Sequence, residues 1–282
     1  MTMDTIKHFL ENARTTIMNV RSLAICAGLY GLLLITFYIF IATREATVWQ
    51  VLVTYAFLVL VPAEFFVLQS AIVNQARERR MVWREIGREA IKLFVATIPI
   101  IVIGLVFWAL LDKFQLHYPA PKTALVETLH SAPKPQPMHW PTVVFATIRF
   151  LLFAIALPLA AIHLWISASA SDLRTFFRGG PEAMVKRFGS WLARAFASDS
   201  VLTYLLGVVL FAFIPYAIIF VKILPKGNKT NFAVFLAQLI LAFFFTLIGW
   251  IVTVTTLAQL NAETPGVPAT APVHNATAEA PA

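Results

Sequence analysis

Long apolar stretches alternate with short polar ones along most of the chain. Six stretches are each long enough to cross a bilayer, whose hydrocarbon core of about 30 Å requires roughly 20 apolar residues in a helix. They occupy residues 23–42, 48–73, 91–111, 143–167, 201–224 and 232–260. In lipid every backbone polar group must be paired within the protein, and no stretch alternates as barrel strands do. The pattern therefore predicts an all-α polytopic integral membrane protein, with a six-helix transmembrane domain over residues 22–260.

The residues before the first span have a different pattern, with apolar side chains at helical spacing and charges between them. Within residues 1–21 the apolar positions are Ile6, Phe9, Leu10, Ala13, Ile17 and Val20, and the charged ones are Asp4, Lys7, Glu11 and Arg14. Such a segment is typical of an amphipathic helix that lies in the membrane interface. We expect it to precede the first crossing as a separate element.

Two segments lack a hydrophobic pattern of their own. Residues 112–141 contain six prolines, which favour extended backbone, and we expect an outer loop there. Residues 261–282 are rich in Ala, Pro and Thr and almost free of large apolar side chains. This composition predicts a disordered tail.

The basic residues are unevenly divided between the two sides of the predicted membrane domain. Fourteen of the 22 lysines and arginines fall on the side of the N-terminus and eight on the other. The positive-inside rule therefore predicts cytoplasmic N- and C-termini. The layout is similar to that of multi-pass proteins of the bacterial inner membrane, which is the localisation we expect. The net charge of +8 follows from this bias, so no nucleic-acid partner is predicted.

Four spans carry a proline near their middle, and each predicts a helix kink. These are Pro62, Pro99, Pro158 and Pro215. A proline has no N–H and crowds the carbonyl one turn earlier, so the carbonyls of Leu58, Val95, Ala154 and Phe211 need another partner. The prolines are interpreted either as residues that shape the bundle or as part of the lining of a polar cavity.

Glu64 is the one carboxylate within the apolar stretches, and it follows Pro62 by two residues. A charge at mid-membrane costs at least about 2.5 kcal/mol on insertion scales, so such a residue is a candidate functional group. Counted along the helices, its predicted depth in the membrane is closer to that of His163 than to that of Arg149, whose long side chain can extend toward the outer surface. We predict a polar site formed by Glu64 and His163. A structural hydrogen bond to a neighbouring helix and a proton or cation site both remain open interpretations.

Basic residues also recur at helical spacing in the two predicted cytoplasmic connections, beside apolar positions. They are candidate contacts for anionic lipid headgroups: Arg77, Arg80, Arg84, Arg88, Lys186, Arg187 and Arg194. Charge that only sets the topology is the other interpretation of the same pattern. The lipid bilayer is thus the first predicted partner.

Motifs typical of catalytic or cofactor-binding sites are missing from the sequence. It contains no His-Glu-x-x-His, Gly-x-Ser-x-Gly or phosphate-binding glycine loop, so we predict no catalytic residue and no cofactor. His117, His130 and His139 share the outer loop but match no metal-ligand spacing, and no metal is predicted. The single cysteine, Cys26, lies in the first span and is interpreted as a packing residue.

Three functional hypotheses are consistent with these patterns. The first is a non-catalytic membrane component that binds a membrane-protein partner or a second copy of itself. The second is a small transporter or permease subunit with a polar site around Glu64. An intramembrane enzyme is the most distant of the three.

Overall fold

The computed structural model describes residues 2–43, 47–77, 83–119, 139–170, 189–190, 192–221 and 228–263. Within these residues six helices are long and apolar enough to cross a membrane, and a shorter helix precedes them. The all-α multi-pass fold predicted from the sequence is thereby confirmed. In chain order we name them α1 (Thr2–Met18), α2 (Val20–Ala42), α3 (Val48–Ala76), α4 (Trp83–Gln115), α5 (Trp140–Ala170), α6 (Ser198–Phe220) and α7 (Asn228–Glu263).

A cap at Asn19 separates α1 from the first spanning helix. The backbone of Asn19 leaves the helical region, with φ of −85° and ψ of 67°, and its side chain accepts a hydrogen bond from the backbone N–H of Ser22. An asparagine at this position satisfies one of the free N–H groups at the start of a helix. The chain therefore changes direction between α1 and α2.

Helix α1 lies against the end of the bundle at which α7 ends. The Asn12 amide donates to Oγ1 of Thr256 at 3.1 Å and to Oε1 of Gln259 at 2.6 Å, and the Thr5 hydroxyl donates to Asp199 at 3.1 Å. We call this end of the bundle the α1 end. Both ends of the described chain thus lie on the same side of the bundle.

The residues that α1 buries and exposes differ from those expected from its sequence pattern. The predicted apolar side is divided, since Phe9 is buried while Leu10 and Ile17 are exposed. The side that contacts the bundle also carries Thr5, Asn12 and Thr16, which are buried. Two of these polar residues have hydrogen-bond partners in the bundle, since Thr5 bonds to α6 and Asn12 to α7, whereas the apolar side chains of Leu10 and Ile17 face the surroundings.

Burial is concentrated in the half of the bundle nearest the α1 end. Buried runs in this packed half include residues 68–74 of α3, 161–166 of α5 and 251–257 of α7. Indole groups add hydrogen bonds between helices, from Trp165 to Oγ1 of Thr97 and from Trp250 to Oε1 of Gln69. In the opposite half, which we call the open half, few of the described residues are buried.

Two of the four prolines follow a short π-helix. Residues Leu151–Ala156 form one before Pro158, and residues Val209–Phe213 form the other before Pro215. The N–H of Leu157 bonds to the carbonyl of Leu152, five residues earlier, as this wider turn requires. Pro62 and Pro99 instead lie inside helices that remain α-helical throughout. The same residue type is therefore accommodated in two ways.

Helices α6 and α7 approach each other closely at two glycines. A Cβ atom added to Gly207 would overlap Oγ1 of Thr253, and one added to Gly249 would lie 2.8 Å from the backbone nitrogen of Phe211. Small residues let membrane helices come together in this way, since packing rather than exclusion of water stabilises the contact.

Candidate functional site

Glu64 lies in the membrane domain beside a hydroxyl of the neighbouring helix. The Thr36 hydroxyl of α2 donates a hydrogen bond of 3.1 Å to Oε1 of Glu64 on α3. Thr36 is buried, and the second carboxyl oxygen, Oε2, is inaccessible and has no hydrogen-bond partner among the described residues. A buried carboxyl oxygen without a partner is costly, particularly when the group is ionised. Among the described residues the carboxyl group is therefore hydrogen-bonded through Oε1 alone.

His163 has a different partner, at the end of α7. The residue is 2 % exposed, and its Nδ1 lies 2.9 Å from Nδ2 of Asn261. The same amide group donates to the carbonyl of Leu257 at 3.0 Å. With Nδ1 accepting, the proton of the neutral ring resides on Nε2, which is buried without a partner in the described part of the chain.

The structure gives Glu64 and His163 separate partners and does not pair them, contrary to the sequence prediction. Their helices do meet nearby, since the rings of Phe65 and Phe66 both pack edge-on against Trp165. The carboxyl group is bonded to α2, however, and the imidazole to α7. The two polar groups are therefore held by different neighbouring helices.

Two of the predicted headgroup contacts share a cavity at the α1 end. Arg77 and Arg194 line a cavity of about 530 Å³, together with Ser167, Gln259 and Asn261. Arg77 also donates through Nη2 to the carbonyl of Ile166 at 2.7 Å, which ties the end of α3 to α5. The cavity therefore has cationic and amide groups on its wall, and Asn261 connects it to His163.

The remaining predicted headgroup contacts fall into two groups. Arg84 and Arg88 are exposed on the first turns of α4. Arg80, Lys186 and Arg187 lie outside the described residues, as do residues 264–282 and most of the outer loop, whereas residues 261–263 of the predicted tail continue α7. Four of the seven predicted headgroup contacts are thus among the described residues.

Arg149 belongs to the end of the bundle opposite α1. Its guanidinium forms an ion pair with Asp112 at the end of α4 and lies 5.0 Å from the centre of the Trp108 ring. Such a stacked cation gains from the ring's electrostatic face as well as from the carboxylate. This placement agrees with the sequence-based assignment of Arg149 to the half away from Glu64.

The outer histidines have local partners where the structure describes them. Nδ1 of His117 lies 3.0 Å from the carbonyl of Lys113, and Nδ1 of His139 lies 2.8 Å from Oγ1 of Thr142. His130 lies outside the described residues. Among the residues that are described, no group of three His, Cys, Asp or Glu side chains is close enough to hold a metal ion.

Sequence reasoning missed the residues that partner the candidate groups. Thr36 and Asn261 were not singled out, and neither was Tyr204, whose hydroxyl donates to the carbonyl of Ala154 at 2.8 Å. The available signal was a hydroxyl or amide inside or next to an apolar stretch. That signal is weak, because threonine and tyrosine are common in membrane helices without such a role.

Comparison with known proteins gives no relative, since no protein-family model, no curated protein and no solved structure matches the chain.

Proposed function

We propose that this multi-pass membrane protein is a non-catalytic membrane component that binds another membrane protein through its open half. The observation that carries the proposal is the first half of α5, where no residue from Trp140 to Ala156 is buried. At 1.5 Å per residue these 17 positions form about 25 Å of helix, most of the thickness of a bilayer core. A helix with so little cover from its own bundle is available to a partner.

The composition of this surface also supports a protein contact. Ala146, Ala154 and Ala156 allow close approach of another helix, and Thr142 and Thr147 are exposed hydroxyl-bearing residues. Membrane helices associate through small residues and hydroxyl groups of this kind. We further propose that the protein resides in a bacterial inner membrane with the α1 end facing the cytoplasm, as its basic residues favour.

Site-specific photocrosslinking tests the interface. A benzophenone side chain at Val144 or Ile148, which are 50 % and 41 % exposed, should give an adduct of one defined mass in native membranes. An adduct at twice the chain mass identifies a second copy, and any other discrete mass identifies a different protein. The same species should purify with the chain at a constant ratio in mild detergent.

The control places the same group at Val20, which is 70 % exposed but lies at the α1 end. It should give lipid adducts without the discrete protein band. If Val144 and Ile148 also react with lipid alone and the purified chain has the mass of a monomer, the partner interface does not exist.

A transporter or permease subunit is the second candidate, favoured by the buried and unpartnered Oε2 of Glu64 beside Pro62. Protonation-linked transport through this site requires the carboxyl group. In liposomes under an imposed potential, the wild-type chain should carry a proton current that Glu64→Gln removes and Glu11→Gln, at an exposed residue of α1, leaves intact. A wild-type chain that carries no such current would eliminate proton transport at Glu64.

A further inference from the structure

An apolar groove runs between α3 and α4 and is separate from the polar groups described above. Its volume is about 380 Å³, and the described residues that line it are apolar side chains and glycine. The groove exists because small residues face each other across it, with Ala63 on α3 and Gly87 and Ala90 on α4. This volume is within the range of sites that bind small molecules.

The groove faces the surroundings of the bundle. Three of its lining residues are strongly exposed, with Val59 at 71 %, Ile91 at 66 % and Phe94 at 44 %. The edge-on contact between Phe66 and Phe94, with ring centres 5.3 Å apart, holds the two walls in place. In a membrane, a molecule from the lipid phase therefore has direct access to it.

Basic residues lie at the end of the groove nearest the α1 end. Arg84 and Arg88 each precede a lining residue of α4 by three positions, Gly87 and Ile91 respectively, so they share its helical face. Both arginines are exposed. The face thus changes from cationic to apolar within about one helical turn, which complements a molecule with an anionic head and a hydrocarbon chain.

The length of the groove and its basic end matches that of a lipid molecule in one leaflet. The Ser70 hydroxyl of α3 donates to the carbonyl of Ile86 on α4, so the two positions are level. From Ser70 to Leu58 helix α3 rises about 18 Å, and Arg84 lies half a turn before Ile86 on α4. The groove and its basic end therefore extend over roughly 20 Å, comparable to one leaflet of a core that is about 30 Å thick plus its headgroup layer.

We propose that this groove binds one anionic phospholipid, with an acyl chain against Pro62, Ala63 and Gly87 and the headgroup phosphate at Arg84 and Arg88. Basic pockets between membrane helices are known to hold anionic headgroups. The contact differs from ordinary annular lipid because it combines a cavity with a pair of arginines. It is independent of the partner interface on α5, and either can exist without the other.

Native mass spectrometry of the full chain, released from micelles supplied with equal amounts of phosphatidylglycerol and phosphatidylcholine, tests the proposal. The wild-type chain should retain one phosphatidylglycerol. Gly87→Phe should abolish this adduct by filling the groove, because a Cβ built at Gly87 meets no neighbouring atom within 4 Å outside its own helix backbone and so points into open space. Arg84→Gln combined with Arg88→Gln should weaken binding about 30-fold, the effect of two basic charges near a membrane surface.

Matched controls separate the groove from general effects. Gly28→Phe introduces the same side chain at an equally open glycine of α2, and Lys7→Gln with Arg14→Gln removes two exposed charges from α1. Both should keep the adduct. The arginine variant changes exposed side chains alone, so its result stands even where Gly87→Phe does not fold. Equal retention of the two lipids, an unchanged adduct in the arginine variant, or a second protein chain seated in the groove would overturn the proposal.

Discussion

The hydroxyl of Tyr204 on α6 donates a hydrogen bond of 2.8 Å to the backbone carbonyl of Ala154 on α5. Ala154 lies four residues before Pro158, which has no N–H to offer that carbonyl. Lipid provides no donor either, so a side chain from another helix takes the place of the missing amide. This contact joins the π-helical segment of α5, which precedes Pro158, to the α-helical first part of α6.

Replacing Tyr204 with Phe should lower the free energy of unfolding by about 1 kcal/mol, the usual scale of a hydrogen bond between membrane helices. The ring and its contact with Phe211 are retained, so the loss reports on the hydroxyl. Unfolding in mixed micelles of increasing sodium dodecyl sulfate measures the difference. Tyr216→Phe, which removes a hydroxyl from a 62 % exposed residue, is the control and should leave the stability unchanged. Equal stabilities for the two variants would contradict the role given to Tyr204.

The need for this contact could be predicted from the sequence, but its donor could not. A proline identifies the carbonyl that loses its amide partner, because the relationship is local and fixed by helical geometry. The donor lies 50 residues further along the chain and depends on how α5 and α6 pack. Likewise the six spans follow directly from length and composition, which the membrane thickness constrains.

The candidate site shows the same limit. Depth along a helix follows from counting residues, whereas the direction of a side chain depends on the rotation of its helix. In a helix that is apolar on all sides, the sequence does not indicate which side faces protein, since lipid is equally apolar. For this reason Glu64 could be recognised but its contact with Thr36 could not. For the same reason the division of the bundle into a packed and an open half could not be predicted from the sequence.

Because α6 and α7 are in close contact, we expect the stability of the bundle to depend strongly on Gly207. In Gly207→Ala the new methyl carbon would lie only 2.9 Å from the Cβ atom of Thr253, which is too close for two carbon atoms. Helices α6 and α7 must therefore move apart. We expect a loss of about 1–3 kcal/mol in the free energy of unfolding, as for other overpacked sites. The same detergent titration measures it.

Gly28 provides the matched control for Gly207. No atom lies within 4 Å of a Cβ built at Gly28 in α2, so Gly28→Ala introduces no clash. Alanine is the better helix former by roughly 0.5–1 kcal/mol, and this variant should be as stable as the wild type or more so. A destabilised Gly28→Ala beside an unaffected Gly207→Ala would mean that the α6–α7 contact is not as close as described.

The docking of α1 should depend on Asn12, which bonds to two residues of α7. Asn12→Ala removes both hydrogen bonds, each worth about 1 kcal/mol, and leaves the rest of the bundle intact. Amide hydrogen exchange in α1 should then become at least about tenfold faster, with little change in α3 or α7. Glu11→Ala, at the exposed neighbouring residue, should leave exchange as in the wild type. Unchanged protection of α1 in Asn12→Ala would show that other contacts hold it.

The arrangement of the helix ends predicts which positions share a side of the membrane. Glu11 on α1 and Ala262 on α7 lie at the α1 end, whereas Tyr118 follows α4 at the opposite end, and all three are exposed. In a Cys26→Ser background, cysteines at Glu11 and Ala262 should respond alike to a membrane-impermeant thiol reagent, and a cysteine at Tyr118 should respond oppositely. If the α1 end faces the cytoplasm, intact cells label the position at Tyr118 and lysed cells label all three; a cysteine at Ser131, in the predicted outer loop, should follow Tyr118. Labelling at Glu11 and Ala262 in intact cells would invert the proposed orientation, and different responses at these two positions would contradict the fold itself.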